Sequence, residues 1–306
     1  MSDLSGEEIW RRGSQAAARL LDACPAEAHQ GDADVMTPWA QMLIAEYEWL
    51  YVVYLEWARV LAYRPVPAQV SAPLRQEAEG AVWAATLYAL LDAASDADDD
   101  KVRAAVRGAE SLDVNAQVNF AYALAVRAKL MADACGGRER LEEIAVLVAA
   151  AGAAGRVPGE TRIAEGSAAL MLGMIAAGDE AGAQHLHTEV LYYHPERSGP
   201  LALLLAAVVA SLGRIGYAMR RDADGLPSSL RELRAEPDDS DDADSVLTGV
   251  ARDLADGIRD GDPVALSAVL LRMAGLADAD RIALGWQLAQ AAGTRIGQKY
   301  ATKEHP

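Results

Sequence analysis

Apolar residues recur at intervals of three and four along most of the chain, and the strict alternation typical of a half-buried β-strand is absent. Ala and Leu are the most frequent residues and Phe occurs once, a composition that favours helix over sheet. Gly and Pro residues divide the pattern into about a dozen segments joined by short loops. We therefore predict an all-α fold without a β-sheet, either a multi-helix bundle or a stack of helical hairpins.

The longest uninterrupted helical pattern covers residues 37–64, which are also rich in aromatic side chains. Thr37 is a suitable N-cap, Pro38 suits the first helical position, and Pro65 ends the segment. Most of its surface is apolar, and a helix with that character is normally buried. We expect it to be a long central helix around which the others pack. Its polar residues fall on one narrow stripe: Gln41, Glu48, Glu56 and Arg59.

Glu46 lies away from that polar stripe, on a side shared with Trp39, Leu50 and Trp57. A carboxylate in such surroundings must be paired, hydrogen-bonded or protonated, because burial of an isolated charge costs several kcal/mol. One interpretation makes Glu46 a catalytic candidate, a carboxylate tuned by a cleft with aromatic walls. The other interpretations are a structural ion pair with an arginine, or a helix face that is simply exposed.

Tyr and Trp are concentrated between positions 39 and 88. Their polar atoms usually need partners when buried, so these residues suit cavity walls and interfaces as well as cores. We consider two alternatives, an aromatic binding groove and a filled core. The candidates for the groove are Trp39, Trp49, Tyr54, Trp57 and Trp83.

The sequence PDDSDDAD at 237–244 is the clearest boundary in the chain, because it is acidic and almost devoid of apolar residues. We predict a main helical domain over 1–236, an acidic linker over 237–244 and a C-terminal helical segment over 245–306. That last segment forms either a small bundle of its own or part of the main domain. Within it, Asp262-Pro263 has the pattern of an N-cap followed by Pro at the first helical position.

The formal charge of −17 and the isoelectric point near 4.7 predict no nucleic-acid partner and no anionic membrane partner. No run of apolar residues is long enough to cross a bilayer, and the acidic start MSDLSGEEIW is unlike a signal peptide. Two cysteines exclude a disulfide scaffold. We expect a soluble, cytoplasmic protein, and the excess of Arg over Lys indicates a GC-rich bacterial genome.

Two acidic clusters occur, at 96–100 and in the run Asp238-Asp239-Ser240-Asp241-Asp242, which fits the pattern DDxxD. Two such clusters in an all-helical chain resemble the isoprenyl diphosphate synthases. The resemblance implies that aspartates on facing helices hold Mg²⁺, which binds a diphosphate leaving group. The metal candidates on this interpretation are Asp238, Asp239 and Asp242. An acidic run that follows Pro237 is also typical of a solvated linker.

Three of the five histidines lie within ten residues, at 185, 187 and 194. His187 and His194 are seven residues apart and share a helix face, so they are candidate metal ligands. His185 and Glu189 share a different face, so no single face offers the three ligands that a zinc site on one helix needs. Surface histidines near a helix C-terminus are the simpler interpretation.

Motifs for nucleophilic catalysis and phosphate binding are absent, since the chain has no GxSxG, GxxxxGK or strand-linked GxGxxG. We therefore expect a non-catalytic, helical protein-interaction or scaffolding protein without a cofactor. It would use an aromatic groove or a helix face to bind another protein or a second copy of itself. The alternative is an all-α enzyme with its site inside the bundle, built on Glu46 or on the aspartate clusters with Mg²⁺.

Overall fold

The computed structural model describes residues 5–26, 33–61, 81–95, 98–155, 161–193, 195–214, 249–250, 253–254 and 262–303. These residues form twelve α-helices and two short 3-10 helices, and none of them lies in a strand. The predicted all-α fold is confirmed. Across the described ranges, no helix has both the length and the apolar character that crossing a membrane requires.

The chain divides into two compact units, Met1–Asp133 and Ala134–Pro306. The helices that start in the first unit are α1 (Gly6–Asp22), α2 (Ala33–Ala45), α3 (Leu50–Leu61), α4 (Val82–Ser95), α5 (Asp99–Glu110) and α6 (Val114–Ala134). Those of the second unit are α7 (Arg138–Gly155), α8 (Thr161–Ala177), α9 (Glu180–Tyr193), α10 (Ser198–Arg214), α11 (Pro263–Ala274) and α12 (Asp278–Lys303). The 3-10 helices are Tyr47–Trp49 and Pro195–Arg197.

This division falls inside the region predicted as one main domain, 1–236. Helix α12, from the predicted C-terminal segment, packs mainly against α8 and α10 and so is integral to the second unit. The predicted acidic linker at 237–244 lies outside the described residues. Its role as a boundary stays a prediction.

The prediction of one continuous helix over 37–64 is wrong. The first part, α2, begins earlier, at Ala33, and ends at Ala45. Glu46 then leaves the helical conformation with φ −98° and ψ 17°, and the 3-10 turn Tyr47–Trp49 leads into α3. Residues 62–64 lie outside the described part of the chain. The predicted burial of this region is confirmed only in part, since Trp39, Leu43, Tyr54 and Trp57 are almost inaccessible to solvent, whereas Met42, Ile44 and Tyr47 are exposed.

Two tryptophans explain why the segment bends. Trp39 Nε1 donates a hydrogen bond to the carbonyl of Leu20 at 2.9 Å, and Trp57 Nε1 donates to the carbonyl of Ala17 at 3.1 Å. In a straight helix, the two tryptophans would lie about 27 Å apart. Their acceptors on α1 are separated by less than one helical turn, so both bonds require the break at Glu46.

A glycine permits α1 and α3 to approach each other closely. A Cβ atom at Gly13 would lie 2.3 Å from Cβ of Val52, well inside van der Waals contact. Aromatic contacts extend this core to α6, with the ring centroids of Tyr54 and Phe120 5.1 Å apart in an edge-to-face arrangement. Trp39 and Tyr122 make a second such contact at 5.7 Å. The first unit is therefore built around an aromatic core.

The second unit is organised around α12, which approaches its neighbours through small residues. Gly285, Ala289, Gly293 and Gly297 recur at intervals of four and so share one face. A Cβ at Gly293 would lie 2.6 Å from Cβ of Ile175, and one at Gly297 would lie 2.9 Å from the carbonyl oxygen of Ala176. Side chains there would push α12 away from α8.

Several helix ends follow from local residue types. Gly136 and Gly178 adopt positive φ angles of 83° and 91°, which end α6 and α8. Asp262 is the N-cap of α11, its Oδ1 accepting from the backbone N–H of Val264 at 2.8 Å, and Pro263 follows at the first helical position. The N-cap signal predicted at Asp262-Pro263 is therefore confirmed.

Candidate functional site

Residues 42–49 form the bend between α2 and α3, and we call them the corner. Its position is fixed from inside by Leu43 and Leu50, which flank the bend and are both buried. On the outer side, the guanidinium of Arg19 on α1 donates to Glu46 Oε1 at 2.6 Å. The candidate catalytic carboxylate is thus held in an ion pair, one of the interpretations that the sequence left open.

This ion pair lies at the surface, because the side chain of Arg19 is 55% exposed and that of Glu46 is 21% exposed. Exposed pairs of this kind contribute about 0–1 kcal/mol to stability, since solvent screens them. The pair therefore orients the bend more than it stabilises the fold. A catalytic role for Glu46 stays a prediction that this geometry does not favour.

Arginine and aromatic side chains meet on the side of the corner that faces α1. The guanidinium carbon of Arg12 lies 5.8 Å from the centroid of the half-buried Trp49 ring, within the range of cation–π attraction. Glu8 accepts from both Arg11 and Arg12 at 2.7 Å. Hydrogen bonds from Arg11 and then Arg12 lower the pKa of Glu8 to about 2, so this rim is charged at neutral pH.

Large apolar side chains project from the corner into solvent. Ile44 is 54% exposed, Tyr47 60% and Met42 39%. The same stretch also carries Glu48 and the Arg19–Glu46 ion pair, and Arg12 lies over the Trp49 ring. Exposed large apolar side chains of this kind make the corner a candidate interaction site.

The predicted aromatic groove is mostly core. Four of its five candidates are buried in the first unit: Trp39, Tyr54, Trp57 and Trp83. Burial raises the pKa of the Tyr54 phenol, whose hydroxyl has no hydrogen-bond partner in the described part of the chain. Only Trp49, at the corner, offers part of its ring to a binding partner. The alternative that these aromatics fill the core is the one their burial supports.

Of the predicted metal ligands, only His187 lies within the described residues. His194, Asp238, Asp239 and Asp242 lie outside them, so the histidine metal site and the magnesium–diphosphate alternative both stay predictions. The described part of the acidic cluster at 96–100 begins α5, where Asp98 Oδ1 accepts from the backbone N–H of Lys101 at 3.0 Å. No group of three or more His, Cys, Asp or Glu side chains in the described ranges could hold a metal ion.

His187 is placed differently from the expected surface histidine, because only 5% of it is exposed. Its ring lies 5.5 Å from that of Trp286 on α12, and its Nε2 has no hydrogen-bond partner within the described ranges. Burial lowers the pKa of His187 to about 4, so the imidazole is neutral at pH 7. His185 lies on the exposed side of α9 beside Glu189, at 3.8 Å.

Sequence reasoning missed the exposed residues Met42 and Ile44, because it assigned them to a buried continuous helix. The pair Glu46 and Glu48 could have indicated a break in the helix. Residues two apart point to different sides of a helix, so one unbroken helix could not keep both carboxylates on a single polar stripe. A break between α2 and α3 resolves this conflict.

Comparisons of the chain with protein-family models, with curated proteins and with solved structures gave no match. Functional inference therefore depends on the geometry of the chain itself.

Proposed function

We propose that this chain is a non-catalytic, helical interaction protein that binds another protein through the corner. The observation that carries the proposal is the exposure of Met42, Ile44 and Tyr47 on a bend anchored by buried leucines. Large apolar side chains held in solvent at a fixed position are unfavourable for an isolated monomer, and burial against a partner removes that cost.

The residue types at the corner support the same role. Tyr, Trp and Arg are the side chains that most often dominate binding energy at protein interfaces. Tyr47 and Trp49 belong to the corner, and Arg12 and Arg19 contact it, so all three residue types are present there. The anchored helices on either side make this surface pre-organised, so binding would cost little conformational entropy.

The test compares the proteins recovered from the native host by chemical cross-linking with the wild type and with an Ile44→Asp/Tyr47→Ser variant. We expect one or more specific partners to be recovered with the wild type and lost with the variant. Both side chains are mainly exposed, so circular dichroism of the variant should match that of the wild type.

The matched control is Val146→Asp, since Val146 is also apolar and 70% exposed but lies on α7 of the second unit. It should retain the partners that the wild type recovers. Recovery of the same proteins by the wild type and the corner variant, or of no specific protein by either, would contradict the proposal.

A further inference from the structure

The methionines of the described residues are shielded from solvent, with one exception. Among the six methionines in these ranges, Met42 is 39% exposed. The other five are each exposed by 9% or less, namely Met36, Met131, Met171, Met174 and Met273. Met1 and Met219 lie outside the described part of the chain. An oxidant in solution therefore reaches the thioether of Met42 before those of the five buried methionines.

The two cysteines, whose sulfur is the usual target of oxidants, are protected as well. Cys24 and Cys135 are both buried. Burial raises the pKa of both thiols to about 12, so almost no thiolate forms at neutral pH. Because the thiolate is the reactive form, neither cysteine competes effectively with Met42 for an oxidant.

Oxidation of Met42 by hydrogen peroxide needs no other group of the protein. A sulfur lone pair attacks one peroxide oxygen, so that an S–O bond forms and the O–O bond breaks. The proton on the transferred oxygen moves to the departing hydroxide, which leaves as water. Sulfur is oxidised by two electrons to the sulfoxide, and the peroxide is reduced. Methionine sulfoxide reductases reverse this change.

The position of Met42 determines what a sulfoxide would do. Met42 belongs to the corner, where Ile44 and Tyr47 are exposed with it. Its backbone is held in the fold, because its carbonyl accepts a hydrogen bond from the N–H of Glu46 at 3.2 Å and the adjacent Leu43 is buried. A sulfoxide replaces an apolar group by a polar one, which must lose water when a partner covers it. The side chain already reaches solvent, so the same change disturbs the fold little.

We propose that Met42 is a reversible oxidation site that regulates binding at the corner. The reduced thioether forms part of the apolar contact with the partner, and the sulfoxide weakens that contact. The regulation rests on the function proposed for the corner, whereas the selective oxidation of Met42 does not depend on it.

Peptide mass spectrometry tests the oxidation site. The whole chain is treated with dilute hydrogen peroxide under native conditions, and sulfoxide formation at each methionine is followed over time. Met42 should be oxidised roughly tenfold faster than Met131 or Met171, and the rates should become similar in urea. Circular dichroism should be unchanged when Met42 is fully oxidised. Equal rates for the three methionines under native conditions would overturn the proposal.

Partner recovery by cross-linking in extracts of the native host tests the regulation. The wild type is oxidised and freed of peroxide before it is added to the extract. Its recovery of specific partners should fall by roughly fivefold or more, in proportion to the sulfoxide fraction at Met42, and methionine sulfoxide reductases should restore it. In Met42→Leu, the ratio of recovery with and without peroxide should be close to that of an untreated sample, because leucine has no sulfur. Met42→Gln, which is polar like the sulfoxide, should recover less than Met42→Leu.

The outcomes separate this proposal from the function of the corner. If the reduced wild type recovers no specific partner, the proposed function is wrong and the regulation fails with it. The regulation alone is overturned if the wild type recovers partners that Ile44→Asp/Tyr47→Ser loses, but peroxide leaves their recovery unchanged. A peroxide effect of equal size in Met42→Leu would overturn it as well, because another residue would then be responsible.

Discussion

Protonation of His187 should destabilise the second unit, because its imidazole is buried against Trp286 with an Nε2 that has no partner among the described residues. The folded state holds the pKa of His187 at about 4, below the ordinary value of 6.5. The unfolded chain therefore binds a proton at higher pH than the folded chain does. The stability contributed by neutral His187 is fully present above pH 6.5 and is lost as the pH falls towards 4.

The magnitude follows from the difference between the two pKa values. At 1.36 kcal/mol per pKa unit, the full loss is about 3 kcal/mol near pH 4, and about 2 kcal/mol is lost by pH 5. The informative variant is His187→Leu, which cannot titrate and suits the apolar surroundings. Between pH 7.5 and pH 5, the free energy of opening should decrease less in His187→Leu than in the wild type. The difference between the two decreases should be about 2 kcal/mol.

Hydrogen exchange read by mass spectrometry is the suitable assay, because peptides from α9 and α12 report on the second unit alone. Peptides from α1 in the same sample provide an internal control and should respond to pH equally in both proteins. The matched control variant is His185→Gln, because His185 is exposed on the same helix. This substitution should leave the pH response of the α9 and α12 peptides unchanged. Equal pH responses of α9 and α12 peptides in the wild type and His187→Leu would refute the reasoning.

Three further substitutions should separate large from small contributions in the first unit, each measured by urea unfolding. Gly13→Ala should destabilise the protein by about 1–3 kcal/mol, because the added Cβ would collide with Val52. Gly6→Ala should be nearly neutral, because no atom lies within 4 Å of its Cβ position. Equal effects of the two substitutions would contradict the close approach of α1 and α3. Trp57→Phe should cost about 1 kcal/mol for the lost hydrogen bond, plus a packing term, and no measurable loss would show that the bond is dispensable. Glu46→Gln should cost less than about 1 kcal/mol, and a larger loss would mean that its ion pair does more than orient the bend.

Local signals predicted much of the fold. Helical spacing predicted an all-α fold of about a dozen segments, and the pair Asp262-Pro263 marked the start of α11 correctly. Gly152 shows where a local signal misleads, because glycine often ends a helix, yet α7 continues through it to Gly155. Its missing side chain lets Leu204 approach to 3.2 Å of the Cβ position, so this glycine serves packing and not termination.

The candidate site was harder to predict, because it depends on contacts distant in sequence. The choice between groove and core was decided by the carbonyls of Ala17 and Leu20, which accept the indole N–H groups of Trp57 and Trp39. The sequence pattern does not show which backbone carbonyls of another helix will accept a hydrogen bond. The exposure of Ile44 likewise follows from the break at Glu46, which changes the direction of the chain after α2.

The spacing of small residues in α12 limits how this helix can change in length. Inserting or deleting one residue between Gly285 and Gly297 would rotate the remainder of the helix by about 100°. A shift before Gly293 would put a residue with a Cβ, Ala292 or Thr294, in its place, where that Cβ would lie 2.6 Å from Cβ of Ile175. Alanine fits at Gly285, where the nearest atoms lie 3.7 Å from the Cβ position, but a one-residue shift would remove the small residues that let α12 approach Ile175 and Ala176 of α8.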